Sequence, residues 1–387
     1  MAWVVCFPRP ERSCYQTRSD PPPGRRLGRG AVEAAPFFCQ KGHFMQLTLF
    51  INPEHRADDD LTARFNDHIE QVRVARQAGY DGLAVGNHLS FGSTAWFPPL
   101  ETLIRLAAEG EGMSLATCML VLPLYHPLHV VEQASMLDII SGGKLVLGVA
   151  PGWTQDEFKV MGVDHGRRLG RYIEAVTLMQ RLWMEDTVTF EGKHFQADGL
   201  TLAQKSVQKP RPPMWYGGSV TAAVARAGRL ADTVLGDSWV ASSHLVEDVI
   251  VKQAGVFREA LVEHGKPMPA EFPLLRNIVV APDKATALKD AGPFLEASYR
   301  VFGQWGLFSQ VVGAGKEQLD LEELIAGRVI IGSPEECAEE LVRLARATDF
   351  TRLIARVQWL GMDQRIVLRT VEMLADKVLP LVERELA

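Results

Sequence analysis

The chain has 387 residues, of which 47% are hydrophobic and 23% charged, and its formal net charge is −6 at pH 7. These proportions are typical of a soluble globular protein, and the negative charge offers no electrostatic basis for binding nucleic acid. No apolar run approaches the roughly 20 residues that cross a bilayer. We therefore expect a cytoplasmic protein of one large or two ordinary domains, with neither nucleic acid nor membrane as a partner.

Metal and disulfide chemistry are not indicated by the cysteines and histidines. The five cysteines are irregularly spaced, which argues against a disulfide framework or a zinc site. His126 and His129 lie three residues apart, but Pro127 stands between them and no carboxylate follows at ligand spacing. We expect no metal.

The first 43 residues differ in composition from the rest. They contain the stretch SDPPPGRRLGRG and no sustained helical or strand periodicity. Their apolar start is too short for a signal-peptide core and lacks a cleavage site. We interpret residues 1–43 as a disordered extension, and residues 44–387 as the folded domain.

Strand and helix patterns alternate along the rest of the chain. Strands are predicted at residues 45–51, 82–85, 115–122, 144–149, 214–216, 233–235, 274–281 and 351–357. Helices are predicted at 61–78, 98–109, from Pro127 to Gly142, at 166–184, 222–230, 246–264, 334–347 and from 363 onward. Each strand is thus followed by at least one helix.

Two longer segments interrupt this alternation. Residues 187–213 contain a possible small hairpin, VTFEGKHFQ, and residues 283–332 are expected to add helices. Such insertions usually cover the carboxyl face of a barrel. Eight strands alternating with helices predict an α/β fold, a closed (β/α)8 TIM barrel with insertions, and a doubly wound open sheet is the alternative. In both folds, chemistry gathers at the carboxyl ends of the strands.

The turn Gly217-Gly218-Ser219 lies between a predicted strand and a predicted helix. Glycines let the backbone approach a ligand, and the free N–H groups of a helix start favour phosphate. Ser219 and Thr221 can donate hydroxyl groups and cap the helix. The turn is therefore a candidate phosphate site, with an ordinary capped helix start as the alternative.

Five stretches in a fixed order resemble a known family. They are GYDGLAVGNH, LATCMLVLPLYHP, LDIISGGKLVLGVAPGW, PPMWYGGSVTAAVARAGRLAD and GSPEECAEEL. Together they resemble the bacterial luciferase-like flavin monooxygenases, from about Met45 to the C-terminus and most densely between Gly79 and Asp237. The resemblance implies a (β/α)8 barrel that holds reduced flavin mononucleotide (FMN), or in one branch a deazaflavin, at its carboxyl face. It also implies a homodimer, and flavin phosphate at the Gly217 to Ser219 turn.

The resemblance implies roles for two strand ends. Thr117, Cys118 and Met119 match a bulge that supports the flavin ring, with a non-prolyl cis bond between Cys118 and Met119; a trans strand with Cys118 as buried filler is the alternative. His88 matches a histidine important in luciferase catalysis, where an imidazole can exchange protons near neutral pH. Its alternative role is a polar pocket-lining residue.

Other positions depart from the family pattern. Asn87 stands where many relatives have an acidic residue, and Leu89 replaces a second histidine of luciferase, so light emission or aldehyde oxidation is not implied. Ala150 replaces the reactive cysteine of luciferase. Pro151 replaces a phosphate-binding arginine, for which three arginines are candidate substitutes: Arg167, Arg168 and Arg276.

The remaining candidates are Gly152, Trp153 and Asp237. Gly152 lies with Ala150 at the end of the fourth predicted strand, among the expected cofactor-binding residues. Trp153 either packs against flavin or substrate or covers the barrel. Asp237 is either a pocket residue or a helix cap.

The resulting hypothesis is a two-component monooxygenase. A separate flavin reductase supplies reduced FMN, which reacts with O2 to oxygenate a small organic substrate while the insertions exclude water. Two alternatives remain, a deazaflavin-dependent dehydrogenase and a noncatalytic flavin-binding barrel. Substrate identity depends on pocket shape formed by separate loops, which no motif encodes.

Overall fold

The computed structural model of the chain describes residues 45–304 and 321–387. The predicted extension, residues 1–43, lies outside the described residues, as does part of the predicted insertion at 283–332. The described residues form an α/β fold in which a parallel sheet curls and helices connect successive strands.

Eight strands of the sheet alternate with helices. They are β1 (Gln46–Ile51), β2 (Gly82–Val85), β3 (Ser114–Thr117), β4 (Leu145–Ala150), β5 (Met214–Gly217), β6 (Ser238–Val240), β7 (Pro273–Val280) and β8 (Arg352–Arg356). From β1 to β6 each strand is parallel to the next, and β8 lies parallel between β1 and β7. A parallel bridge between Ala241 and Leu274 also joins the residue after β6 to β7.

Six further strands complete the β-structure of the described chain. Leu120–Val121 pairs with β4, and Val329–Gly332 pairs with β7. Two antiparallel hairpins lie outside the main sheet: Glu54–Arg56 with Thr94–Trp96, and Val188–Glu191 with Gln196–Leu200. The second hairpin confirms the one predicted from VTFEGKHFQ.

The helices follow the predicted order. In the described residues they are α1 (Leu61–Gln77), α2 (Pro99–Leu106), α3 (Pro127–Ile140), α4 (Gln155–Val160), α5 (Arg168–Met184), α6 (Thr221–Leu230), α7 (Glu247–Glu263), α8 (Lys284–Gln304), α9 (Leu321–Ile325), α10 (Pro334–Thr348), α11 (Gln364–Met373) and α12 (Leu379–Leu386). Proline begins α3 and α10, where a missing N–H costs nothing.

The structure corrects three strand predictions. The sixth strand was predicted at 233–235, but those residues form a 3-10 helix and the strand is Ser238–Val240. Gly236 between them has φ 86°, so the chain turns before it extends. The predicted strand at 115–122 is two strands separated at Cys118, and Val329–Gly332 is a strand that was not predicted.

An inner core is formed by side chains from all eight strands, clustered separately from the larger core that packs sheet against helices. Its members are Phe50, Ala84, Ala116, Cys118, Val146, Trp215, Val240, Leu275 and Ile354. Side chains two residues apart on a strand point to the same face of the sheet. The residue two positions after each of these, toward the carboxyl end of its strand, therefore lies above the inner core. Those residues position the candidate site.

Candidate active site

Small residues at the ends of β4 and β5 surround Met119. A Cβ atom built on Gly217 would lie 2.8 Å from Met119 Cγ and 3.1 Å from Ala150 Cβ. A Cβ atom built on Gly152 would lie 2.6 Å from Val121 Cγ1. The structure therefore brings together Met119, Ala150 and Gly217, which were predicted as cofactor-binding residues, whereas the predicted Gly152 packs against Val121 and Phe158.

The peptide bond between Cys118 and Met119 is cis, as predicted. Cys118 belongs to the inner core, and burial raises the pKa of its thiol to about 12, so the sulfur stays protonated. Thr117 is fully buried, and its hydroxyl donates to the Gly148 carbonyl oxygen at 2.7 Å. Thr117 and Cys118 thus support this surface from beneath, while the half-buried Met119 lies on it.

Asn87 connects the end of β2 to the segment after β3. Its Oδ1 accepts hydrogen bonds from the Val121 N–H at 3.1 Å and from the Tyr125 hydroxyl at 3.2 Å. The side chain is 6% exposed. Asn87 therefore holds the neighbouring loop, a positioning role that its place in the motif did not reveal.

His88 is paired with a buried carboxylate on α4. Its Nδ1 lies 3.0 Å from Glu157 Oε1, and the Leu89 N–H donates to the same oxygen at 2.8 Å. Burial alone would raise the pKa of Glu157, but the hydrogen bonds from His88 and Leu89 outweigh it and lower that pKa. An ionised carboxylate only accepts hydrogen bonds, so Nδ1 of His88 carries a proton and Nε2 is left to exchange one.

Two indole rings lie beside the His88 ring. The Trp96 ring is 4.8 Å from it in an edge-to-face arrangement, and the Trp153 ring is 6.4 Å away at 86°. Trp153 is 40% exposed, so its ring is accessible at the rim of the site. Trp96 and Glu157 were not predicted, because one lies on a short hairpin and the other on a helix of one and a half turns.

The hairpin that carries Trp96 is anchored by buried rings. The His55 ring lies 4.8 Å from Phe97 and 5.0 Å from His68, which is fully buried on α1. Burial lowers the pKa of His55 to about 4 and that of His68 to about 3, so both imidazoles are neutral in the folded protein at neutral pH.

These two histidines predict acid sensitivity of the fold. The unfolded chain takes up protons at both histidines near pH 6.5, whereas the folded chain does so only near pH 4 and 3. Stability is therefore lost as the pH falls from about 6.5, by roughly 1.4 kcal/mol per pH unit for each histidine. Urea denaturation at pH 7, 6 and 5 measures this slope. His55→Phe should flatten it, and an unchanged slope in that variant would contradict this assignment.

A second, polar side of the site lies at the ends of β1, β7 and β8. Arg356 Nη2 lies 3.5 Å from Asn52 Oδ1 and 3.8 Å from Glu54 Oε2. The Asn277 amide donates to the Tyr299 hydroxyl at 2.8 Å. The sequence signal for Arg356 is a charge at the end of the buried strand RLIAR, outside any of the motifs that predicted the site.

The turn after β5 is fixed through its backbone. The Gly218 carbonyl accepts from Trp239 Nε1 at 2.8 Å, and the Ser219 carbonyl accepts from the Gln253 amide at 3.3 Å. The N-cap of α6 is Val220, with no side-chain cap, so the predicted capping by Ser219 or Thr221 is wrong. Both hydroxyl residues are exposed, and the first N–H groups of α6 lack a side-chain acceptor.

The candidate substitutes for a phosphate-binding arginine differ in availability. Arg276 is fully buried and donates to two backbone carbonyl oxygens at 2.8 Å, so it is not a phosphate ligand. Arg167 pairs with Asp164 at 3.3 Å on the surface. Arg168 donates to the Gly152 carbonyl oxygen at 3.3 Å, which places it beside the site.

Asp237 is a structural residue, and its assignment as a pocket residue or helix cap is wrong. It directly precedes β6, at the amino end of the sheet, and is fully buried. Arg211 donates two hydrogen bonds to it, at 2.7 and 2.8 Å, and the Met214 N–H donates a third. These bonds join the starts of β5 and β6.

Within residues 45–304 and 321–387, no group of three or more His, Cys, Asp or Glu side chains is placed to hold a metal ion. No helix in that part of the chain has the length and apolar character to span a membrane.

Comparison with known proteins decides the family. The profile described as luciferase-like monooxygenase matches residues 45–350. The chain belongs to the luciferase-like monooxygenase family. Its sequence is 28% identical over 264 residues to the oxygenase component of a flavin-dependent trigonelline monooxygenase from Acinetobacter baylyi, covering 67% of this chain and 72% of that protein.

Solved structures share the fold of this luciferase-like monooxygenase. The oxygenating constituent of 3,6-diketocamphane monooxygenase from Pseudomonas putida, in complex with FMN, superposes with a TM-score of 0.71 at 19% identity over 87% of this chain and 98% of that one. An F420-dependent secondary alcohol dehydrogenase superposes with a TM-score of 0.69 at 18% identity, covering 87% and 99%. At these identities the similarity concerns the fold.

Proposed function

We propose that this chain is the oxygenase component of a two-component flavin-dependent monooxygenase that uses reduced FMN and O2 on a small organic substrate. The observation that carries the proposal is His88 held by the buried Glu157, at the same carboxyl edge of the sheet as Met119, Ala150 and Gly217. A relative named as the oxygenase component of a flavin-dependent monooxygenase supports both the cofactor and a separate reductase.

We also propose that the sheet closes into a (β/α)8 barrel. The bridge between Ala241 and Leu274 supports closure, since it joins the β6 and β7 sides of the sheet. The inner core, to which all eight strands contribute, supports it as well. A closed barrel gives the strand ends one shared carboxyl face.

The residues at the ends of β3, β4 and β5 fit a flavin. Met119, Ala150 and Gly217 form a close apolar group, in which a side chain at Gly217 would displace Met119. The backbone at Gly218, with the exposed hydroxyls of its turn and the uncapped α6 start, suits a phosphate. Reduced flavin held there supplies the electrons for activating O2.

The protein's own chemistry centres on His88. Glu157 orients the ring through Nδ1, so that Nε2 can take up or release a proton beside the substrate. The rings of Trp96 and Trp153 limit the access of water to that nitrogen.

A deazaflavin-dependent dehydrogenase is the second candidate. The fold similarity to an F420-dependent secondary alcohol dehydrogenase, solved in complex with an F420–acetone adduct, favours it. In that reaction His88 would exchange a proton with a substrate hydroxyl while hydride transfer proceeds without oxygen.

Homodimer formation and a cytoplasmic location stay predictions, and light scattering tests the first.

Cofactor titration under anaerobic conditions tests the proposed function. We expect saturable binding of reduced FMN by the apo-protein, followed by substrate-dependent product formation when O2 is admitted. Saturable binding of the reduced deazaflavin alone, with no oxygen uptake, would support the dehydrogenase instead. Flavin binding with no turnover across a broad substrate panel would support a noncatalytic barrel.

A further inference from the structure

Two buried donors at the polar side of the site have no hydrogen-bond partner. Asn52 is 1% exposed and Trp359 is fully buried, and neither Asn52 Nδ2 nor Trp359 Nε1 is paired. Buried N–H groups are almost always paired in folded proteins, because an unpaired one loses its bonds to water without replacement. Two such donors in one place indicate a missing acceptor.

The side chains that carry these donors lie near the same guanidinium group. Arg356 Nη2 is 3.5 Å from Asn52 Oδ1, and Arg356 Cζ is 5.9 Å from the centre of the Trp359 ring. Arg356 follows Ile354, a member of the inner core, by two residues on β8. Its side chain therefore shares the inner face of the sheet and lies at the carboxyl end.

This polar cluster belongs to the same site as His88. The charge of Glu54 interacts with both Arg356 and His88, and the same two side chains act electrostatically on His244. A ligand that reaches His88 from the glycine surface therefore has Arg356 within electrostatic range.

We propose that Arg356, Asn52 and Trp359 bind a carboxylate group of the organic substrate, so that the enzyme acts on carboxylate-bearing molecules. A carboxylate presents acceptor oxygens to several donors at once, which matches one cation flanked by two neutral N–H groups. The inference rests on the proposed function, because it assigns the group to the substrate of that reaction.

Glu54 is the opposing charge in this cluster. Its Oε2 lies 3.8 Å from Arg356 Nη2, longer than a hydrogen bond, and it would repel a bound carboxylate. Burial raises the pKa of Glu54, against the opposing effects of Arg356 and His88, which favours its neutral form. Glu54 therefore weakens anion binding without preventing it.

The test compares benzoate with benzamide, its neutral analogue, by calorimetry on the full-length apo-protein. We expect benzoate to bind and benzamide to bind at least about tenfold more weakly, since a charge-assisted hydrogen bond is lost. Trp359→Phe keeps the ring but removes the N–H, and it should weaken benzoate several-fold. Equal binding of the two probes, or binding of neither at millimolar concentration, would overturn the proposal.

A matched pair of variants on one strand controls for folding. Arg356→Lys should weaken benzoate by about tenfold, because lysine lacks the planar fork of donors. Arg352→Lys, four residues earlier, should leave benzoate binding unchanged, since Arg352 binds Glu271 and Thr48 near the start of the strand. Glu54→Gln should tighten benzoate binding. If instead Arg356→Lys left benzoate binding unchanged and Glu54→Gln did not tighten it, Arg356 would act only as the ion-pair partner of Glu54.

A flavin arm separates substrate carboxylate from flavin phosphate. If Arg356 held the phosphate, Arg356→Lys would abolish any preference for oxidised FMN over riboflavin, which overturns the proposal. We expect that preference to be unchanged. In the unmodified protein, FMN binding without any preference for benzoate over benzamide would defeat only this inference. A preference for benzoate without any flavin binding would defeat only the proposed function.

Discussion

Replacing His88 with alanine will lower kcat/KM for oxygenation by about 100-fold or more, the usual contribution of a positioned proton-transfer group. The Glu157 carboxylate holds the imidazole at 3.0 Å, and two indole rings lie beside it. A water molecule that filled the space left by the ring would lack this fixed orientation and could not transfer the proton as well. Anaerobic loading with reduced FMN, followed by product measurement after O2 addition, gives the rate.

Two further variants make this result specific. Glu157→Gln replaces the carboxylate that orients the His88 ring through Nδ1, so kcat/KM should fall, but by less than in His88→Ala. His129→Ala is the control, because that side chain is 75% exposed on α3, and its turnover should be unchanged. Full turnover in His88→Ala would remove His88 from the mechanism.

Replacing Gly148 with alanine will destabilise the fold by about 3 kcal/mol, the upper range for overpacking a core. The new Cβ would lie 1.9 Å from the Thr117 carbonyl oxygen and 2.8 Å from Met119 Sδ. The first contact is with backbone of the paired strand β3, which cannot yield without breaking the β3 to β4 pairing. Urea denaturation measures the loss, and poor recovery of folded protein is its extreme form.

Gly255→Ala is the matched control for that experiment. Gly255 lies within α7 and nothing stands within 4 Å of its added Cβ, so the change should raise the free energy of unfolding by up to about 1 kcal/mol. If Gly148→Ala unfolds at the same urea concentration as the unmodified protein, that result would contradict the close packing of β3 against β4 at Gly148.

Local sequence patterns predicted the order of the helices and strands, because the start and end of each helix or strand depend on residues close to it in the sequence. The apolar run of β4, the proline at the start of α3 and the glycines that end helices act within a few residues. The same logic failed at 233–235, where the triplet Thr-Val-Leu resembles a strand but is a 3-10 helix. There the buried bonds between Arg211 and Asp237 set the start of β6, and no local pattern encodes them.

By itself, the sequence determined the strand and helix alternation, the glycine turn after β5 and the family resemblance that pointed to His88. Only the tertiary structure decided that Glu157 orients His88, 69 residues away, and that Asn52 and Arg356 meet across 304 residues of chain. The physical reason is that these contacts depend on strand register and on how loops close over the sheet. Such pairings are set by packing of the whole domain, which spacing along the chain does not report.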